Sequence, residues 1–205
     1  SEVKYEGVGS ANDEFIELYN PAPYDINISG WVIKKKSGTG TTETTIKTIS
    51  SNKIIKSFGY FLIANTGFAQ INTIIPDDTT TQIIAANNVI LLYDTSNTLI
   101  DKVGYGVVGD SEMQSCTDPG SGKSIERKAQ KNSTPLSMTT GADSLAGNSF
   151  DMNNNYFDFI VRESPDPQNS VSNKEIPPYF TLPSPPTLIY PETDVITKDT
   201  IAHFV

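Results

Sequence analysis

Apolar and polar residues alternate in short runs along this chain of 205 residues, and the runs are separated by turn-forming clusters with no helical periodicity between them. Phe15, Glu17 and Tyr19 fall on one face of such a run, with Ile16 and Leu18 on the other. Val89, Leu91 and Tyr93 likewise oppose Ile90 and Leu92. The pattern predicts strands over Glu14–Tyr19, Ile26–Lys35, Thr44–Ile49, Gly59–Ala64, Asn88–Tyr93, Thr98–Tyr105, Lys123–Arg127 and Tyr156–Val161, preceded by a strand-like Val3-Lys4-Tyr5. Between them lie Asn20-Pro21, Ser29-Gly30, Ser37-Gly38, Asn65-Thr66-Gly67, Pro76-Asp77-Asp78 and Asp118-Pro119-Gly120, which carry the turn chemistry that links antiparallel strands. Strands at this rhythm without intervening helices predict an all-β fold of two facing antiparallel sheets. Trp31, directly after Gly30 and ahead of Val32-Ile33, reads as a core aromatic on a central strand.

The pattern breaks near Ser164. Prolines 165, 167, 177, 178, 183, 185, 186 and 191 then dominate, which predicts a β-sandwich domain over residues 1–163 and a Pro-rich linker or extended segment over 164–205. Residues 193–202 recover β-propensity, as the first strand of a following domain would, and are expected to pair with an exposed sheet edge. The strand-like opening suggests a piece of a longer chain.

Charge narrows the function classes. A formal net charge of −9 and a pI near 4.5 repel polyphosphate, so nucleic acid is not an expected partner. Lys34, Lys35 and Lys36 form the one basic cluster and read as a solvated strand end that discourages edge pairing. A single cysteine, Cys116, excludes an intrachain disulfide, and with one histidine, His203, it excludes cysteine- and histidine-rich zinc sites. No stretch is long and apolar enough to span a bilayer. The acidic, Thr/Ser/Asn-rich surface points toward an extracellular or cell-surface location.

Few residues carry recognisable chemistry. Gly120-Ser121-Gly122-Lys123-Ser124 is like the end of a phosphate-binding loop, but Thr117 stands where the first glycine is required and a strand follows instead of a helix. Asp151, Asn153, Asn155 and Asp158 offer oxygen ligands for calcium, although their spacing misses the EF-hand loop; Asp110 with Glu112, and Asp77 with Asp78, are weaker pairs. No other cofactor is implied. Catalysis through His203 has no nucleophile motif to support it, and the 24 acidic residues contain no pair that sequence context singles out for glycoside cleavage. Asn27-Ile28-Ser29 and Asn132-Ser133-Thr134 match the glycan acceptor pattern, which is common in chains of this composition.

Three stretches together resemble the lamin tail domain family: Asp13-Glu14-Phe15-Ile16-Glu17-Leu18-Tyr19-Asn20-Pro21 with Ile26-Asn27-Ile28-Ser29-Gly30-Trp31; Leu99-Ile100-Asp101-Lys102-Val103-Gly104-Tyr105 with Gly122-Lys123-Ser124-Ile125-Glu126-Arg127; and Asn155-Tyr156-Phe157-Asp158-Phe159 with Ser164-Pro165-Asp166-Pro167-Gln168-Asn169. The resemblance implies an immunoglobulin-like β-sandwich without catalytic residues, and the acidic charge and missing heptads place it nearer the exported bacterial and archaeal members than the nuclear ones. The motif residues Glu17, Asn20, Gly30, Trp31, Asp101, Gly122, Arg127, Asp158 and Phe159 are then structural. Glu17 and Arg127, charged inside strand patterns, read as a partly buried ion pair or backbone anchors. Asn20 reads as a turn cap, and Asp158 as an acceptor of backbone donors. The expected function is a non-catalytic protein-interaction or structural, anchoring module whose partner is another protein or a neighbouring domain. A carbohydrate-binding module accessory to an extracellular hydrolase, using Tyr5, Tyr24, Tyr60, Tyr105, Tyr156 or Tyr179 as sugar platforms, is the alternative, and a carboxylate hydrolase ranks third.

Overall fold

A computed structural model describes residues 1–69 and 73–180. In chain order the strands are β1 (Glu2–Lys4), β2 (Phe15–Tyr19), β3 (Ile26–Asn27), β4 (Val32–Ser37), β5 (Thr44–Thr48), β6 (Ile54–Ile55), β7 (Tyr60–Asn65), β8 (Asp78–Thr80), β9 (Asn88–Tyr93), β10 (Leu99–Gly104), β11 (Ser124–Arg127) and β12 (Phe159–Arg162). Two single-turn helices, α1 (Pro135–Thr139) and α2 (Asn155–Asp158), follow β11. One sheet has the order β12-β11-β1-β2-β7-β8, the second β10-β9-β4-β5, and β3 pairs with β6 in a small flap. All pairs are antiparallel except β7 with β8.

The alternation read from the sequence decides which face meets which. Val3, Ile16, Ile63 and Ile125 of the larger sheet pack against Ile33, Ile90 and Val103 of the smaller one in a single buried core. Residues of the opposite parity, Phe15, Leu62 and Ala64, form a second cluster with Phe68 on the larger sheet's outer face. The all-β sandwich expected from the pattern, with the immunoglobulin-like character that the resemblance implies, is the fold observed.

Several local features differ from the reading of the sequence. The predicted Ile26–Lys35 strand is two strands, because Gly30 adopts φ +78° and Trp31 N–H donates back to Ile28 O at 3.0 Å, turning the chain. Trp31 is therefore not wholly inside the core; it is half-buried, with one side packed on the core and one facing a cleft. The lysines of β4 do not guard an edge. β4 lies between β5 and β9, and Lys34 and Lys36 are spent on Glu43 at 3.0 Å and Asp110 at 2.8 Å. Tyr156 and Phe157, read as strand, lie in α2, where Asn154 caps the turn by accepting Tyr156 N–H at 3.2 Å. Asp78, read as part of a turn, opens β8.

The chain from Ser164 to Phe180 lies across the outer face of the larger sheet. Asp166 N–H donates to Glu2 at 3.3 Å, Gln168 N–H donates to the Glu17 carboxylate, and the Tyr60 hydroxyl donates to Glu175 at 2.6 Å. The composition change at residue 164 thus coincides with a strap bound to the sheet. The predicted pairing of residues 193–202, and His203, lie outside the described residues.

Candidate functional site

The sheets diverge where β2 and β11 end, and a cleft of about 320 Å³ opens between them. Leu18, Ile28, Trp31 and Leu92 line its apolar interior, and Ile26 and Ile55 of the β3–β6 flap form one lip. Ile100, 46% exposed, forms part of the other. The polar wall is Asp101, Arg127, Asn148, Ser149 and Asp151.

Each neighbouring motif residue has a positional reason. Asn20 builds the turn that carries Pro21 into the rim: its Oδ1 accepts Ala22 N–H at 2.9 Å, and its Nδ2 donates to Tyr24 O at 2.8 Å and Ile55 O at 3.2 Å. The cap expected of Asn20 is formed, and it ties the flap to β2. Arg127 is 5% exposed, with Nη2 at 2.8 Å from both Asp101 oxygens, Nη1 at 3.5 Å from Asp151, and its guanidinium 4.7 Å from the Phe159 ring centre. The ion pair expected of Arg127 is therefore with Asp101. Glu17 does not meet it, because residues 17 and 127 have opposite parity in the sheet. Glu17 is instead a backbone anchor beneath the strap, and burial pushes its carboxyl up to about 8. Gly122, at φ +75°, turns the chain into β11. Asp158 accepts Met152 N–H at 3.1 Å and Asn154 N–H at 2.9 Å, the backbone donors expected of it.

Of the nine motif residues, Asn20, Trp31, Asp101 and Arg127 converge on the cleft, and Phe159 stacks beneath Arg127. Glu17, Gly30, Gly122 and Asp158 hold the surrounding structure. Sequence reasoning missed the lip residues Ile55 and Ile100. Nothing marks Ile54-Ile55 as a strand, and Ile100 carries no signal beyond an apolar residue at the start of a strand.

The calcium candidates divide. Glu112, Asp151 and Asp158 bring carboxylate oxygens within 4.8 Å of one another, and Asn155 meets this group as a donor, its Nδ2 at 2.9 Å from Glu112 Oε2. Asn155 uses its side chain to accept Gly104 N–H at 2.8 Å and to donate to Lys102 O at 3.0 Å, as a neighbouring strand would. Burial, followed by the charges of Asp101 and Asp151, pushes Glu112 up to about 7. Arg127 already supplies a cation beside these acids. Asp110 pairs instead with Lys36 and Lys102, at 2.8 and 2.7 Å.

The remaining candidates for chemistry are structural where described. The Ser124 hydroxyl in the phosphate-loop-like stretch donates to Glu2 from within β11. Cys116 is buried, which pushes its thiol up to about 12 and keeps it protonated and unreactive. Glu2, Glu17 and Glu126 stand in one cross-strand row, buried under the strap and Arg162.

Two largely antiparallel sheets packed over one core, with motif side chains gathered at one end, define an immunoglobulin-like module. The sequence model of the Lamin Tail Domain matches residues 1–107, and the chain belongs to that family. It is a family of non-catalytic immunoglobulin-like domains generally involved in protein interactions. No curated protein matches the chain. No helix among the described residues is long and apolar enough to cross a membrane.

Proposed function

We propose that this protein is an interaction or anchoring module of a larger exported or cell-surface protein, and that its cleft seats an apolar side chain of a protein partner. The observation that carries the reading is the cleft itself. Its volume of about 320 Å³ holds one or two side chains, its interior is apolar, and its rim presents Asp101 and Asp151, held by buried Arg127, to a partner's backbone. The family's general role supports an interaction surface of this kind. The acidic charge and the Thr/Ser/Asn-rich surface favour export over a chromatin-binding role.

The carbohydrate reading rests on exposed, coplanar rings. Tyr5, Tyr60 and Tyr105 are buried, and Tyr156 meets Phe157 at 82°, edge to face. That leaves Tyr24 and Tyr179 as the strongly exposed rings of the six, which weakens that alternative.

Site-specific photo-cross-linking in producing cells tests the proposal, with the reactive group at Ile100 on the lip and, as control, at exposed Lys131. Discrete protein adducts from Ile100 and none from Lys131 are the expected result. Equal labelling at both positions, no labelling at Ile100, or polysaccharide retention abolished by Trp31→Ala would overturn it.

A further inference from the structure

The two ends of the larger sheet are finished differently. At β8, Lys47 of β5 reaches Asp78 at 2.7 Å and Thr79 O at 2.8 Å, while the Thr80 hydroxyl donates to Ile46 O at 2.8 Å, so this edge is latched to the second sheet. At the other end, β12 has β11 on one side and no main-chain partner on its outer side among the described residues. In the register Ser124↔Arg162, Glu126↔Ile160, continued by Lys128 N–H donating to Asp158 O at 2.8 Å, Phe159 and Val161 turn their amide groups outward. The N–H of Phe159 is used within α2, donating to Asn155 O. The N–H and C=O of Val161 face the open edge. β12 contains no proline, lysine or bulge.

A groove of about 510 Å³ runs along this edge, lined by Thr117, Pro135, Tyr156, Phe157 and Val161 among others. Tyr156 and Phe157 are 48% and 49% exposed and pack edge to face at 5.1 Å, presenting an apolar wall to solvent. Lys128 stands at the Phe159 end of the groove. Glu163, which already meets Lys123 at 2.8 Å, stands at the other end.

We propose that residues 193–202 of the same chain dock in this groove as an added strand on β12, parallel to it. Spacing supports this occupant: Ile196 and Lys198 are two residues apart in sequence, as are Val161 and Glu163, so an apolar pair is followed by a pair of opposite charges. The parallel register sets Ile196 opposite Val161 and Lys198 beside Glu163. Reach supports it as well. Phe180 packs on Phe58 at 5.0 Å, just ahead of β7, at the end of the sheet where Phe159 also lies. Crossing from β7 to β12 spans four strand spacings, about 19 Å. Residues 181–192, with prolines at 183, 185, 186 and 191, reach up to about 37 Å when extended. Arrival at the Phe159 end gives the parallel direction.

Amide hydrogen exchange on the full chain tests this, read at Val161 with the Ile63 amide of central β7 as a folding control. Val161 is expected to be protected in the wild type and to exchange at least about tenfold faster in Ile196→Asp, with Ile63 unchanged. A Val161 amide that exchanges freely in the wild type, or one equally protected in Ile196→Asp, overturns the proposal. Protection that grows with protein concentration overturns the assignment to the same chain.

Discussion

Glu14 is the sharpest test of how burial and charge are balanced in this sandwich. The residue is 3% exposed; Oε2 accepts Ile84 N–H at 3.1 Å, and Oε1 is a buried side-chain oxygen without a hydrogen-bond partner. Burial pushes the group from its usual 4.5 to about 7. A folded-state value above the unfolded one favours folding at pH below about 4.5, and that contribution is lost as pH rises to about 7. The ceiling on the loss is roughly 3 kcal/mol, and partial access of water to the carboxyl is expected to reduce it to about 1–2 kcal/mol. Glu14→Gln removes the charge and keeps an acceptor for Ile84. The variant should match the wild type at pH 4 and exceed it by about 1–2 kcal/mol at pH 8 in urea denaturation. Glu2, Glu17, Glu112 and Glu126 are also raised by burial and slope the same way, but their shared contribution cancels in the difference between the two proteins. A variant no more stable than the wild type at pH 8, or equally stabilised at both pH values, refutes the reasoning.

Asp101→Ala leaves Arg127 buried with Asp151 at 3.5 Å as its nearest remaining carboxylate, and is expected to cost about 2–4 kcal/mol in thermal or urea unfolding. Gln168→Pro removes the N–H that serves Glu17 as well as the side-chain bond to Glu175 at 2.8 Å; it should lose about 1–3 kcal/mol more than Gln168→Ala, which keeps the N–H, and should open residues 164–180 to limited proteolysis. Millimolar calcium should leave the melting temperature unchanged, because Arg127 already balances the acids around Glu112, Asp151 and Asp158; a saturable rise that Asp151→Asn abolishes would refute this.

The half-buried strands were legible because each carries its own period: Phe15, Glu17 and Tyr19 against Ile16 and Leu18 needs no tertiary knowledge to assign. The errors fell where local propensity and tertiary context disagree. Tyr156 and Phe157 favour strands, yet the Asn154 cap and the demand of β10 for a partner, met by the Asn155 side chain, wind that stretch into α2. Asp78 sits among turn residues, and only the neighbouring β7 makes β8 a strand. At the cleft, resemblance supplied Asn20, Trp31, Asp101 and Arg127 one by one. Their convergence was hidden, because it depends on which residues end β2, β10 and β11 together. Glu126 was unremarkable for the same reason, since its place beside Glu2 is fixed by a pairing across more than a hundred residues.

That row of Glu17, Glu2 and Glu126 explains why the larger sheet has two apolar-looking faces. A carboxylate on a central strand ordinarily points to water, and burying three on adjacent strands without donors would cost several kcal/mol each. The donors come largely from distant chain: Asn148 and Arg162 for Glu126, Asp166 N–H and Ser124 for Glu2, Gln168 N–H for Glu17. The strap then places Glu175 on Tyr60 and Phe180 on Phe58, extending the cover to the end of the sheet. The acids therefore select the strap's path by hydrogen-bond demand while the aromatic contacts hold it down. This arrangement leaves the core face to set the fold and the outer face to set where the chain goes afterwards. The strap bonds the buried acids on the outer face and reaches the rim of the cleft at Trp31, where the Tyr19 hydroxyl donates to Glu175 O and Gly147 N–H donates to Ile176 O at 3.3 Å, so the same segment that covers the acids also fixes one wall of the surface offered to a partner.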